Sequence, residues 1–265
     1  VETLRYIWKK LDSEGERYHW NAANLKEEKM EVALNKLCGI DKDYFLSKVA
    51  KAYMAILGDG KSGIFCEDSL DIPSNWQDKT RIKIGTGKFS ILLTNPPFGS
   101  KIPVRGEDKL KQYDLAYKWK KNKYGVWEKG KLKEKESPQV LFIERDVQLL
   151  ADYGRMAIVL PDGVFGNDTF GYIRHWLKEQ GRILAIIDIP VETFQPNTST
   201  KTSVLVFQKL PKEDIPENIR EILGVKNREI VNTIIMDIIK NSLDKPYIKL
   251  SDDVFKAIVD LKKFN

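Results

Sequence analysis

Asn95-Pro96-Pro97-Phe98 follows an apolar run, Phe89-Ser90-Ile91-Leu92-Leu93-Thr94, of the kind that forms a buried parallel strand. The four residues fall at the carboxyl end of that strand, where open α/β sheets hold their ligands. Two consecutive prolines neither continue a sheet ladder nor enter a helix interior, so the chain leaves the sheet as a stiff loop. Pro96 and Pro97 offer carbonyl acceptors without amide donors. Asn95 adds a side-chain acceptor and Phe98 a flat face. Such a set can hold a planar amine, whose lone pair is delocalised into its ring and is a poor nucleophile. Two acceptors, the Asn95 side-chain oxygen and the Pro96 carbonyl, favour a pyramidal nitrogen whose lone pair points at an electrophile. An aromatic ring holds a base by stacking, worth about 1–3 kcal/mol per base. On their own, the same four residues also suit a simple strand exit.

The surrounding pattern supplies the elements that position this loop. Residues 1–12 and 24–34 have helical periodicity, the second with Asn24 as its cap. A short strand is expected from Leu37 to Asp41. A helix capped by Asp43 follows, running to about Leu57 and ended by Gly58 and Gly60. Further strands are expected at Gly63–Cys66, Phe89–Asn95, Arg155–Leu160, Ile183–Ile189 and Ser203–Gln208. Gln139–Tyr153 is amphipathic and Phe170–Gln180 helical. Strands alternating with helices of this length predict an α/β fold with a doubly wound, mainly parallel sheet. Residues 99–136 have weak periodicity and are expected to be a loop-rich insertion. Residues 211–265 lose the strand rhythm and are expected to form a helical extension beyond a domain spanning 1–210. Gly85-Thr86-Gly87-Lys88 leads into a strand rather than from a strand into a helix, so it is expected to be a turn and not a phosphate loop.

Charge is unevenly placed. The net charge of +6 resides in residues 101–136, and the rest of the chain sums to zero. Lys118-Trp119-Lys120-Lys121-Asn122-Lys123-Tyr124 interleaves bases with aromatics just downstream of the proline loop. Lys118, Lys120, Lys121 and Lys123 are therefore candidate contacts to a DNA backbone, with the rings available to bases. The alternative is a solvated loop that serves solubility. Two histidines, His19 and His175, and two cysteines, Cys38 and Cys66, have no metal-type spacing, so neither a metal site nor Cys/His catalysis is expected. The cysteines lie in apolar runs and are expected to be reduced and buried. No apolar run approaches the 18 or so residues of a membrane span, and no secretory pattern opens the chain, so a cytoplasmic location is expected.

Asn95-Pro96-Pro97-Phe98 resembles the catalytic motif of S-adenosylmethionine-dependent amino-group methyltransferases. The likeness continues, in that family's order, through Gly39-Ile40-Asp41, Asp68-Ser69-Leu70, Leu141-Phe142-Ile143-Glu144, Gly154 to Pro161, and Thr202 to Phe207. Together these motifs resemble the modification subunit of type I restriction–modification systems and related DNA adenine-N6 methyltransferases, over roughly residues 1–210.

The resemblance implies S-adenosylmethionine as cofactor, with DNA, a specificity subunit and a restriction subunit as partners. Asp41 ends a strand, where a carboxylate can accept from ribose hydroxyls, and its family counterpart does so. The counterpart of Asp68 accepts from the cofactor's adenine amino group, and that of Ser69 lies against the same adenine. Asn95 stands beside the cofactor in the family pattern. Phe194 resembles an aromatic residue that stacks on the target base opposite the loop, so Phe98 and Phe194 are expected to hold a base taken out of the duplex. A core phenylalanine is the alternative for Phe194. The family's glycine-rich cofactor loop does not occur in this chain. Val1-Glu2-Thr3-Leu4-Arg5 resembles the helix after that loop, so the chain is expected to be a fragment that is inactive alone. The other functions compatible with these residues are methylation of RNA or of a protein glutamine, and a non-catalytic nucleic-acid-binding or subunit-interaction module.

Overall fold

The structure, a computed structural model, describes residues 2–58, 63–99, 102–123, 125–196 and 198–214. Gly60, Tyr124 and, past Asp214, the expected helical extension lie outside the described residues. Helix α1 is Glu2–Arg17 and α2 is Ala22–Glu31, continued by a π-helical turn, Val32–Lys36. The cap of α2 is Asn21, whose side chain accepts the Asn24 amide at 2.8 Å. Asn24 thus lies inside the helix, not ahead of it. Strand β1, Gly39–Asp41, leads into α3, Tyr44–Leu57. Asp43 caps α3 through the Leu46 amide at 2.8 Å. Gly58 ends it at a left-handed φ of 92°, a conformation that glycine adopts without a Cβ clash. Strand β2, Ile64–Cys66, pairs parallel with β1.

A short helix, α4 (Asp78–Lys83), precedes β3, Phe89–Thr94. Gly85–Lys88 forms the expected turn, with the Gly87 and Lys88 amides donating to the Gln148 and Leu149 carbonyls. Beyond β3 the insertion is built, not loop-rich. It contains β4 (Val104–Arg105), α5 (Glu107–Lys111), a 3-10 turn (Asp114–Ala116), β5 (Tyr117–Lys121), β6 (Trp127–Leu132) and β7 (Lys135–Glu136). β4 pairs with β7, and β5 with β6, both antiparallel. Tyr117 and Trp119 already alternate with Lys118 and Lys120 in the manner of a strand, but the lysine density disguises it. Trp119 is inward, stacked on Tyr172 at 6.4 Å, with its Nε1 donating to the Asp114 carbonyl at 3.0 Å. Trp127 meets the same tyrosine edge-on at 6.3 Å. Aromatic pairs of this kind contribute about 0.5–1.5 kcal/mol each beyond their burial, so the hairpin is anchored by contacts remote in sequence.

Helix α6 runs Pro138–Leu149 and passes directly into β8, Leu150–Pro161. The amphipathic stretch therefore ends four residues early. Leu150 pairs with Phe89, the chain bulges at Tyr153, and pairing resumes at Arg155↔Ile91. Gly154 permits this, because a Cβ there would sit 2.8 Å from the Phe89 carbonyl oxygen. Two helices follow, α7 (Gly163–Gly166) and α8 (Gly171–Lys178), then β9 (Gly181–Ile189) and β10 (Thr202–Lys209).

The main sheet has the order β3-β8-β10-β9, with β3 parallel to β8 and the other pairs antiparallel. The fold class is α/β, and the sheet is mixed: β10 runs antiparallel to both of its neighbours, β8 and β9. One face carries Leu92, Met156, Ile158, Leu205 and Phe207 against α6 and α8, forming the main core with Ile143, Val147, Ile173 and Trp176. Alternate residues on β3 point the other way, and Ile91 and Leu93 stand 69% and 61% exposed. Ile40 of β1 and Leu92 of β3 pack on one further cluster, Phe65, Trp76, Ile84 and Leu149, which joins the two sheets.

Candidate active site

Thr94 closes β3, and residues 95–98 leave it without regular structure. Asn95 is exposed, Pro96 buried, Pro97 exposed and Phe98 half-buried. Burial of Pro96 between two exposed residues fixes the loop to the strand end. The Asn95 amide has no hydrogen-bond partner among the described residues. At Gly99 the chain turns with φ 93°, and its amide donates to Gln139 Oε1 at 2.7 Å. Gln139 belongs to the first turn of α6 and is 7% exposed.

The structure brings Phe98 and Phe194 together. Phe194 ends a 3-10 turn, Val191–Phe194, in the β9–β10 link, and its ring lies 5.8 Å from that of Phe98 at 84°. Both are half-buried. Perpendicular rings do not make two parallel walls. In this arrangement a flat base stacked on one ring meets the other along its edge.

The candidate cofactor residues sit on the smaller sheet. Asp41 and Cys66 are register partners at the ends of β1 and β2, so Asp41 and Asp68 emerge at the same end of adjacent parallel strands. Asp41 is exposed, and its Oδ1 accepts the Asp43 amide at 2.7 Å. Asp43 is the helix cap, which leaves Asp41 its second oxygen. Asp68 is half-buried and more heavily engaged. Its Oδ1 accepts the Leu70 amide at 3.0 Å, and its Oδ2 accepts from Lys109 Nζ at 2.9 Å. Burial raises its pKa, but the Lys109 ammonium and the Leu70 amide outweigh burial and hold the carboxyl below its ordinary range. Ser69 is buried.

Sequence reasoning missed the residues that hold this corner. Tyr113 Oη donates to the Leu70 carbonyl at 2.9 Å, and Gln112 Nε2 donates to it at 3.1 Å. The fully buried Arg145 guanidinium donates to Tyr113 Oη, to Gln112 Oε1 and to the Asp71 carbonyl. Glu144 accepts the Asp114 and Leu115 amides at 2.9 and 2.8 Å, and burial pushes its pKa up to about 7 against those two bonds. Leu141 packs on Leu70, so α6 touches both halves of the site, at Gly99 and at Leu70. The available signal was Glu144-Arg145-Asp146, three consecutive ionisable residues in a helix that has no others. Lys109 had no signal, because its partner lies 41 residues away.

Lys118, Lys120, Lys121 and Lys123 are all exposed on or beside the β5–β6 hairpin, with Lys121 lying 5.1 Å over the Trp127 ring. An open groove of about 800 Å³ runs between this hairpin and α8, lined by Lys121, Trp127, Asp168, Arg174, His175 and Lys178. None of the residues singled out around Asn95, Asp41 or Asp68 lines it. Cys38 and Cys66 are free and half-buried. Burial raises the Cys38 pKa despite Lys83 and Lys88, so its thiol stays protonated at neutral pH. Among the described residues, no helix is long and apolar enough to cross a membrane.

Residues 20–265 match the family described as N-6 DNA Methylase. Over 145 residues the chain is 32% identical to the EcoEI methylase subunit, a type I restriction enzyme subunit of Escherichia coli. That alignment covers 54% of this chain and 24% of the subunit. A shorter stretch of 60 residues is 40% identical to a deoxyguanosinetriphosphate triphosphohydrolase-like protein of Clostridium perfringens (strain SM101 / Type A), covering 21% of this chain and 18% of that protein. Among solved structures, a protein assigned as the modification subunit of a type I restriction enzyme from Vibrio vulnificus YJ016 superposes with a TM-score of 0.50 at 20% identity. The superposition takes in 69% of this chain and 34% of that one, and at this identity it speaks for the fold. The chain thus spans about a quarter to a third of these methylase relatives. The family match covers nearly the whole sequence, and on it the assignment rests: the chain belongs to the N-6 DNA Methylase family.

Proposed function

We propose that this chain carries the amine-orienting loop and part of the cofactor site of a DNA adenine-N6 methyltransferase, the modification component of a type I-like restriction system. The observation that supports it most is the composition of the β3 exit: an uncommitted Asn95 amide, a buried Pro96, and Phe98 against Phe194. The Asn95 side-chain oxygen and the Pro96 carbonyl accept the two hydrogens of an adenine amine. That pulls the nitrogen toward a pyramidal shape and aims its lone pair, a preorganised arrangement that needs no reorganisation during reaction. Phe98 stacks on the base, and Phe194 meets its edge.

The residues present fit the adenosine part of S-adenosylmethionine. Two carboxylates at the ends of neighbouring parallel strands are acceptors for ribose hydroxyls (Asp41) and for an adenine amino group (Asp68), with Ser69 beside the latter. When bound, that cofactor supplies an electrophilic methyl group on a sulfonium centre. Asp68 shares its carboxylate with Lys109, so cofactor binding and the insertion meet at one group. The exposed lysines 118, 120, 121 and 123 suit the phosphates of duplex DNA, and specificity and restriction subunits complete the assembly that the type I likeness suggests. The boundary near Leu210 separates this catalytic part from the segment 211–265. The test is methyl transfer by the full-length protein from labelled cofactor to duplex DNA, RNA and protein, with digestion of the product. N6-methyladenine in DNA is the expected outcome. Label in RNA or in a glutamine amide overturns the substrate assignment, and no transfer at all leaves a binding module.

A further inference from the structure

Helix α8 divides its residues by face. Tyr172, Ile173, Trp176 and Leu177 are buried in the main core. Gly171, Arg174, His175 and Lys178, at helical spacing on the other side, line the groove of about 800 Å³ against the β5–β6 hairpin. Trp127 lines the hairpin side, with Lys121 Nζ 5.1 Å over its ring. Gly171 lets that indole reach the helix, because a Cβ there would sit 2.9 Å from Trp127 Cζ2. The cations of the groove are not all loose surface charges. Arg174 Nη1 donates to the Val164 and Asn167 carbonyls at 2.9 and 3.0 Å, which fixes a half-buried guanidinium. Its Nη2 and Nε have no hydrogen-bond partner among the described residues and are left as donors. Lys178, one turn on, is exposed and likewise without a partner among the described residues. His175 is paired with Glu179 at 3.0 Å. Lys121, Arg174 and Lys178 therefore face a single carboxylate, that of Asp168. A fixed planar guanidinium with spare donors suits a phosphate.

On the reading that duplex DNA is the substrate, we propose that this groove is a channel for the DNA backbone flanking the target adenine, with Lys121, Arg174 and Lys178 as its phosphate contacts. Lys121 belongs both to the groove and to the exposed lysines of the hairpin, so the two basic surfaces are continuous. The groove also connects to the end of the sheet that matters. Val164 lies in α7, which begins just past the carboxyl end of β8. β3 runs parallel to β8, so this is the end at which Asn95 leaves β3. Arg174 is thus tied to the Asn95 end, and the helix carries Lys178 away from it. From Gly171 to Lys178 the helix rises about 10 Å, which matches about three successive phosphates of one strand. A run of evenly spaced cations continuous with a second basic surface suits a regular polyanion better than the irregular charges of an acidic protein segment.

The experiment titrates a labelled duplex with the full-length protein from about 0.05 to about 0.3 M salt, with thermal melts beside it to confirm the fold. The variants are Lys178→Gln, Asp168→Asn and, as a control, Lys26→Gln, an exposed lysine of α2. Lys178→Gln should lose one phosphate contact. The log–log slope then flattens by about 0.9, and affinity falls about 8-fold at 0.1 M salt and about 4-fold at 0.2 M. Asp168→Asn removes the one opposing charge and should bind DNA more tightly, whereas Lys26→Gln should bind as wild type. An unchanged affinity and slope in Lys178→Gln, with wild type binding DNA, overturns the role of the groove and leaves the substrate assignment standing. Loss of poly-glutamate binding in that same variant would then give the groove to an acidic protein segment. An equal loss of DNA affinity in Lys26→Gln reduces the effect to net charge and overturns the proposal as well. Wild type that does not bind DNA at all defeats the substrate reading, and the channel with it.

Discussion

The two halves of the candidate site are prepared differently. On the main sheet, the β3 exit leaves the Asn95 amide without a partner among the described residues, backs it with a buried Pro96, and sets Phe98 edge-on to Phe194. On the smaller sheet, the acceptors are already in use: Asp41 by the Asp43 amide, and Asp68 by the Leu70 amide and the Lys109 ammonium. An acceptor with no internal bond is free for a transition state and repays its strength there. An acceptor tied to an ammonium is held in place and kept ionised, but must share its lone pairs with any ligand. The first arrangement suits chemistry and the second suits binding.

The largest expected effect comes from removing the free acceptor. Asn95→Ala in the full-length enzyme should lower methyl transfer by roughly 10²-fold or more, as for loss of one preorganised hydrogen-bonding group, with an unchanged thermal melt. Phe98→Ala should weaken binding of DNA carrying an extruded adenine by about 1–3 kcal/mol, measured by fluorescence titration against the same duplex without it. An equal loss on both DNAs would assign the ring to packing against Phe194.

Lys109→Met should act on the other half and by less. Freeing Asp68 is expected to raise cofactor affinity a few-fold, about 0.5–1 kcal/mol, by calorimetry. A fall in affinity would mean that Lys109 aims Asp68 at the cofactor. The pH dependence has a definite sign. The folded pKa of Asp68 lies below its ordinary 3.8, so the stability from its pairing is fully present above that value. It is lost as pH falls through the lowered one. The melting difference between wild type and Lys109→Met should therefore shrink in acid below the ordinary carboxylate range. Smallest is the hairpin. Replacing Lys118, Lys120, Lys121 and Lys123 with Gln should flatten the salt dependence of DNA affinity by about 0.9 in log–log slope per lost phosphate contact. An unchanged slope would leave these lysines to solubility.

The part of the fold legible in the sequence is the part governed by local rules. Asp43 and Gly58 bracket α3 because a cap and a left-handed stop are written in two residues. β3 and its exit were legible because an apolar run meets two prolines. The insertion was not, because its order comes from Trp119 and Trp127 seated on Tyr172, more than forty residues downstream. For the same reason the rings of the basic run were expected to face bases, whereas Trp119 faces the core. The end of α6 was set by pairing of Leu150 with Phe89, a tertiary contact that overrides helical periodicity. Within the site, Asn95, Phe98 and Phe194 could be named in advance. Lys109 and Gln139 could not, since each acts through a partner distant in the chain.

Methyl transfer at saturating cofactor tests the division of the site most directly, with Asn95→Ala and Asp68→Ala compared in the full-length enzyme under single-turnover conditions. Asp68→Ala should need more cofactor, by about 10-fold to 100-fold for a lost bond to a charged acceptor, and then transfer close to the wild-type rate. Asn95→Ala should stay slow by about 10² however much cofactor is supplied. Recovery of Asn95→Ala at high cofactor, or a persistent rate defect confined to Asp68→Ala, would contradict the account.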